Sequence, residues 1–181
     1  MKITSIQVGP IMTNCYLLCD ETAGVCALID PGDDAARVAR LVEQSGCTLQ
    51  YILLTHGHFD HTSAVRPLLE QYPDVPVYIH EKDAVDTERG ELLFRKVGPE
   101  NQRYYKEGDT LPAGGRRCAM SRSLNIVLAG FGGQGVLFAG DTLFRCSCGR
   151  CDFPGGDYRK MLASLGRLAA LEGNLRVLPG H

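Results

Sequence analysis

An excess of charge of either sign, long apolar runs and an export signal are all missing from this 181-residue chain. Its 19 Lys and Arg against 21 Asp and Glu leave a formal charge of −2. Without a basic excess or stripe there is no electrostatic case for binding nucleic acid. No apolar run approaches the ~20 residues needed to cross a bilayer, so a helical membrane anchor is excluded. The opening residues MKITSIQVGP lack the apolar stretch of a signal peptide, and the expected location is the cytoplasm. No linker and no short-period repeat interrupts the chain, so a single domain over residues 1–181 is expected. What is present, 44% hydrophobic and 22% charged residues, is ordinary for a globular protein. The eight cysteines are scattered through strand-like runs, which, without an export signal, reads as reduced thiols, several of them small buried side chains.

Strand-like and helix-like segments alternate, and this predicts an α/β layered fold with helices covering sheets. ITSIQV, NCYLLC and VCALID read as neighbouring strands joined by tight turns. DDAARVARLVEQSG reads as a helix with Ala35, Val38, Leu41 and Val42 on one face, closing at Gly46. YILLT and PVYIH read as strands flanking a helix SAVRPLLEQY, with Pro67 in or near its first turns. KDAVDTERGELLFRKV is helical in pattern but interrupted by Gly90. Beyond Gly108, NIVLA and GVLFAGD read as strands, DYRKMLASLGRLAALEG as an amphipathic helix and RVLPGH as a closing strand.

Chemistry concentrates in THGHFDH, Thr55 to His61, directly after YILLT; it holds three of the five histidines beside a carboxylate. Open α/β sheets place ligand sites at the carboxyl ends of their strands. Imidazole and carboxylate are the usual ligands of Zn2+ and similar divalent ions. As alternate residues, His56 and His58 can address one ion; Asp60 and His61, at the turn into the next helix, can address a second. The bland alternative is a polar loop of solvated or helix-capping histidines, and such a density of imidazole disfavours it.

This motif resembles the T-H-x-H-x-D-H hallmark of the metallo-β-lactamase superfamily. LIDPG, with Asp30, resembles the strand-end aspartate that buttresses the metal loop, and FAGDTLF resembles the segment of the metal-bridging aspartate, here Asp141. GRCDFPGGD is similar to a run of the small glyoxalase II-like hydrolases, and the terminal PGH matches the last strand with its histidine, His181. The resemblance implies an αββα sandwich, two mixed sheets flanked by helices. It implies one ion on His56, His58 and Asp141 and another on Asp60, His61, Asp141 and His181. The ions would be Zn2+, one or two per chain, with Fe or Mn as alternatives. A hydroxide held between them would attack a small-molecule thioester or ester, with Asp60 orienting the nucleophile. Asp30, Thr55 and Gly57 would shape the loop, and Arg150 with Asp152 would brace the segment beside the metals. Flavodiiron oxygen reductases of this fold carry glutamate where His58 stands, which makes a redox di-iron site the weaker reading. Glyoxalase II proper adds a helical region after the closing histidine; nothing follows His181 here, so the chain is expected to be truncated and glutathione specificity is not expected.

One element of the family pattern is absent. A histidine is expected about twenty residues before the bridging aspartate, yet RRCAMSRSLN, Arg116 to Asn125, contains none. His80 reads as structural or solvated, and Cys118 is a weak substitute with the wrong flanks. Residues 120–140, MSRSLNIVLAGFGGQGVLFAG, resemble the start of a 2-oxoacid:ferredoxin oxidoreductase gamma subunit, which implies a chimeric join; a diverged member that lost the ligand is the alternative. The expected consequences are a retained fold, reduced metal stoichiometry and low activity, with His181 on a chain end free to fray. The rival functional readings are a non-catalytic relic or a nucleotide-binding module at Gly130–Gly135. The glycine run needs a helix after it to meet a pyrophosphate, and VLFAGD reads as a strand instead. The C-x-x-C at Cys148 and Cys151 has no second pair and reads as loop structure. Tyr104, Tyr105 and Lys106 read as a solvated polar-aromatic patch. Oligomeric state is left open.

Overall fold

Alternation along the first strands decides the architecture. β1 (Lys2–Val8), β2 (Thr13–Asp20) and β3 (Val25–Ile29) form an antiparallel meander. β4 (Thr48–Leu53), β5 (Val77–His80) and β6 (Gln102–Tyr105) then add in parallel, giving a six-stranded mixed sheet in sequence order. In this computed structural model the residues described are 1–84, 97–113, 116–121, 125–129, 134–152 and 156–181, the side chains of 113–134 excepted.

Successive side chains of a strand point to opposite faces. On one face of the sheet Cys15, Leu17, Cys26, Leu28 and Ile52 pack on two helices. These are α1 (Ala35–Ser45), which buries Val38, Ala39 and Val42, and α3 (Val65–Gln71), which buries Val65 and Leu68. Between β4 and α3 lies the short α2 (Phe59–Thr62). On the opposite face Tyr16, Leu18, Ala27, Ile29, Tyr51 and Leu53 meet Phe138 and Leu178 of a second sheet. With both faces covered, β2, β3 and the second half of β4 carry near-continuous apolar runs instead of a clean alternation. Each fully buried Leu or Ile contributes roughly 1.5–3 kcal/mol relative to exposure.

The second sheet comprises β7 (Thr110–Ala113), β8 (Arg116–Ser121), β9 (Asn125–Ala129), β10 (Gln134–Gly140) and β13 (Asn174–Pro179), in the order β13-β10-β9-β8-β7. It is antiparallel except for the β10–β13 pair. β11 (Leu143–Phe144) and β12 (Ser147–Cys148) make a small hairpin after β10. α4 (Tyr158–Ala169) begins where the Asp157 carboxylate accepts the backbone N–H groups of Arg159 and Lys160. Its half-buried Met161, Leu165 and Leu168 share one face, and it completes the helix–sheet–sheet–helix order expected from the sequence.

Several expectations change in detail. α1 closes at Gly46 as read, in the left-handed conformation that glycine adopts freely. The strand read as YILLT starts three residues earlier, at Thr48, and stops at Leu53. β6, β7 and β8 were not legible: QRYY and RRCAMS are too polar to signal strands, and become strands by pairing with neighbours. Tyr105 is a correction: it is 1% exposed, while Tyr104 beside it is 54% exposed, because the two alternate across β6. Its hydroxyl donates to the Leu54 carbonyl at 3.1 Å. His80 is buried, accepts the Lys82 N–H on Nδ1 and lies edge-on to Tyr105. Most of the interrupted helical segment, residues 85–96 with Gly90, lies outside the described residues. So do Gly130–Gly133 of the glycine run; Gln134 and Gly135 open β10, so a strand follows where a nucleotide turn needs a helix. The histidine-free segment comprises the strand β8, residues 122–124, which lie outside the described residues, and the start of β9. The side chain of Cys118 is likewise outside them. Among the described residues no helix is long and apolar enough to cross a membrane.

Candidate metal centre

Two strand ends of the first sheet build half of the site. β3 runs into Asp30, held at φ 49°. A positive φ is uncommon for any residue but glycine, Asp and Asn tolerating it best. The bend turns the buried carboxylate under the loop that leaves β4. There Asp30 Oδ1 accepts the Thr55 N–H at 2.7 Å, and Oδ2 accepts the Thr55 hydroxyl at 2.6 Å and faces His61 Nδ1 at 3.0 Å. Gly32 closes this corner: a Cβ there would overlap the Asp60 carbonyl, so the two segments touch only because the side chain is absent.

These bonds select tautomers. Thr55 has one hydroxyl proton and gives it to Asp30, so its oxygen is left to accept from Nδ1–H of His56 at 3.0 Å. Nε2 of His56 then carries a lone pair. Likewise Nδ1–H of His61 donates to Asp30, directing Nε2 into the site. One buried carboxylate thus orients two imidazoles, one of them through a threonine.

The second sheet supplies the other half. β10 ends at Gly140, just before Asp141, and β13 brings His181 alongside. Asp141 presents one oxygen to each side: Oδ2 is 3.6 Å from His56 Nε2, while Oδ1 is 3.2 Å from His61 Nε2 and 3.5 Å from His181 Nε2. His56 Nε2 and His58 Nδ1 are 2.9 Å apart, and Asp60 Oδ2 is 3.2 Å from His181 Nε2 and 3.5 Å from His61 Nε2. The six side chains fall into two groups, His56, His58 and Asp141, and Asp60, His61 and His181, each with its donor atoms within 4.8 Å of one another. All six residues singled out in the sequence lie together, and Asp141, expected in both sets, groups with His56 and His58 while an oxygen of it also faces His61 and His181.

The electrostatics suit divalent cations. Burial, then the neighbouring His61, drives His56 down to about 3, so its ring is neutral at pH 7. Burial alone would lower His61 too, but the Asp30 and Asp141 carboxylates prevail and raise it to about 10. Burial raises Asp141, yet its histidine neighbours, His61 first, bring it down to about 2. Asp141 Oδ1 and His61 Nε2 are buried and, although 3.2 Å apart, neither has a hydrogen-bond partner among the described residues. Buried polar atoms left in this way are costly, and a shared cation satisfies both. The donor set, imidazole and carboxylate, is that of zinc, iron and manganese.

Other expected residues sit differently. Arg150 and Asp152 pair through two bonds, at 2.9 and 2.6 Å, on an exposed loop. The loop is nevertheless tied to the site at Gly149, where a Cβ would overlap the Asp141 carbonyl. Cys151 Sγ lies against the Gly149 carbonyl, and among the described residues no cysteine joins a candidate ligand group. Cys15 and Cys26 are buried thiols whose pKa values burial raises, that of Cys26 to about 12, which makes them inert packing groups. His181 is not a frayed end: Gly180 N–H donates to Gly140 O at 2.8 Å and Asn14 N–H to Gly180 O at 2.8 Å. Thr13 was missed by sequence reasoning. Its buried hydroxyl donates to Asp60 Oδ2 at 3.1 Å, and nothing in the TNCYLL strand pattern signals that role.

Comparison with known proteins gives concordant findings. The family described as Metallo-beta-lactamase superfamily matches residues 8–181. Hydroxyacylglutathione hydrolase GloC of Haemophilus influenzae is 30% identical over 201 residues, covering 100% of this chain and 91% of that protein. The hydroxyacylglutathione hydrolase of Gloeobacter violaceus is 36% identical over 173 residues, 92% of this chain and 62% of that protein. Among solved structures, TTHA1623 in a di-iron-bound form is similar with a TM-score of 0.77 and 36% identity, covering 98% of this chain and 91% of that one.

Proposed function

This chain belongs to the metallo-β-lactamase superfamily, and from that premise we propose that it is a metal-dependent hydrolase of thioesters or related esters, similar to glyoxalase II. The observation that carries the reading is the pair of donor groups joined through the two oxygens of Asp141. His56, His58 and Asp141 would hold one ion, and Asp60, His61, His181 and Asp141 the other. Bound divalent ions supply Lewis-acid activation of water and of an ester carbonyl. The chain's own residues do the rest. Asp30 fixes the tautomers, Asp141 spans the two groups, and Asp60, steadied by Thr13, is the carboxylate placed to orient a nucleophile and receive its proton.

The mouth of the site bears on the substrate. Ile11, Met12 and Phe59 are exposed apolar side chains, and Ile11 and Phe59 line a small cleft whose floor reaches Asp60. Asp33 also lines that cleft and, among the described residues, no Lys or Arg does, which favours an uncharged or apolar acyl arm over an anionic glutathione thioester. A small-molecule substrate, a cytoplasmic setting and no nucleic-acid partner complete the reading.

The histidine-free segment supports reduced metal content. The first group offers two imidazoles and one carboxylate oxygen, whereas the second adds Asp141 Oδ1 to its three donors. We expect elemental analysis of purified protein to find about one tightly held divalent ion per chain, zinc, iron or manganese. Slow hydrolysis of simple thioesters is expected to depend on that ion. Two tightly held ions would overturn the reduced stoichiometry. Ion uptake with no turnover of any thioester or ester would favour the non-catalytic relic, which the missing imidazole also supports.

A further inference from the structure

We propose that the start of β2, through Thr13, Asn14 and Tyr16, is a clamp that positions Asp60 and His181 relative to each other. The proposal rests on the metal-centre reading above and assigns these three as positioning residues. Asp60 and His181 reach the site from different sheets, Asp60 in α2 after β4 and His181 two residues beyond β13. Two packed sheets hold their strands through the core, but a metal position needs its donors fixed to a few tenths of an ångström. β2 reaches both. The Thr13 hydroxyl donates to Asp60 Oδ2 at 3.1 Å, and that same oxygen is 3.2 Å from His181 Nε2. On the other side the Pro179 carbonyl accepts Asn14 Nδ2–H at 3.2 Å and the Tyr16 hydroxyl at 2.6 Å, while Asn14 N–H holds Gly180 O.

The sequence at the end of β13 explains why a clamp is needed. Pro179 has no N–H, so the last strand residue cannot anchor itself by donation. Its carbonyl is gripped instead, by two side chains at once. Gly180 then passes flush against the site, where a Cβ would crowd both Asp141 Oδ1 and His61 Cε1. The tail has no slack on that side, and the bonds from β2 hold it from the other. Tyr16 is itself braced edge-on against Phe138 of β10, with ring centroids 5.3 Å apart.

The test is titration of stripped protein with Co2+, reading visible absorption and affinity by competition with a chelator. His181→Ala and His58→Ala identify which step belongs to which group. Thr13→Val and Tyr16→Phe each remove one hydroxyl at nearly constant shape. Both are expected to weaken the step lost in His181→Ala by roughly 10–100-fold, the cost typical of removing a partner that orients a ligand. The other step should stay unchanged, and Thr13→Ser should restore the parent affinity. The melting temperature of the stripped variants separates this from a general loosening, which would lower stability and weaken both steps alike. Parent-like affinity for that step in both variants overturns the clamp and leaves the metal centre standing. A parent that takes up no Co2+ overturns both.

Discussion

Asp30 governs the site without facing substrate. Its two oxygens take three hydrogen-bonding contacts, from Thr55 N–H, the Thr55 hydroxyl and His61 Nδ1, and through them fix where the Nε2 atoms of His56 and His61 point. Asp30→Asn keeps the shape but replaces one acceptor oxygen by an NH2 that donates. Either the Thr55 backbone bond or the hydroxyl–imidazole relay is then lost. The expected result is a roughly 10–100-fold loss of divalent-ion affinity, measured by chelator competition. Parent-like affinity would show that packing alone orients the two rings. At this scale the sequence was informative where residue types carry chemistry: THGHFDH, Asp141 and His181 could be picked out because few other roles suit clustered imidazole and carboxylate. Thr13 and Tyr16 could not. A hydroxyl in an apolar strand looks the same whether it satisfies a carbonyl or steadies a ligand, and its partners lie 47 and 163 residues away.

Elements divide into those whose own pattern specifies them and those specified by partners. β2, β3 and α1 carry apolar residues at positions that face packed layers, and both their type and much of their extent were readable. β6 and β8 carry charge and polarity, and are strands because β5, β7 and β9 offer them ladders. α4 was readable from its period, yet it buries no residue fully and leaves Leu162 49% exposed. The contrast has a mutational consequence. Leu28, in the middle of β3, is 0% exposed and packs with the α1 layer, so Leu28→Ala is expected to cost about 2–5 kcal/mol in denaturant unfolding. Leu162→Ser should stay within about 0.5 kcal/mol of the parent. Comparable losses at the two positions would mean that α4 packs more tightly than its exposure indicates.

At the scale of the whole molecule, the candidate centre lies on the seam between two sheets, so its assembly and the fold's stability are linked. The absence of histidine from Arg116 to Asn125 stood out only against the family pattern; no physical rule about the chain alone would have flagged it. Stability itself has a second pH-sensitive point away from the seam. Asp83, in the turn after β5, is pushed up from 3.8 to about 7 by burial. A raised carboxyl pKa means that between about pH 4 and 7 the folded chain holds a proton that the unfolded chain has released. Stability therefore falls as pH rises through that window and levels off above it. A shift of this size corresponds to ~4 kcal/mol at 1.36 kcal/mol per unit, and because Asp83 is only half-buried, solvent screening reduces the expected loss to about 1–2 kcal/mol. Asp83→Asn removes the titration while keeping the shape. The stability difference between Asp83→Asn and the parent should therefore be small at pH 4.5 and grow by about 1–2 kcal/mol in favour of the variant by pH 8. Taking that difference cancels the titration of the histidines and carboxylates at the seam, which both proteins share. A difference that does not change with pH would place Asp83 in water rather than in the protein.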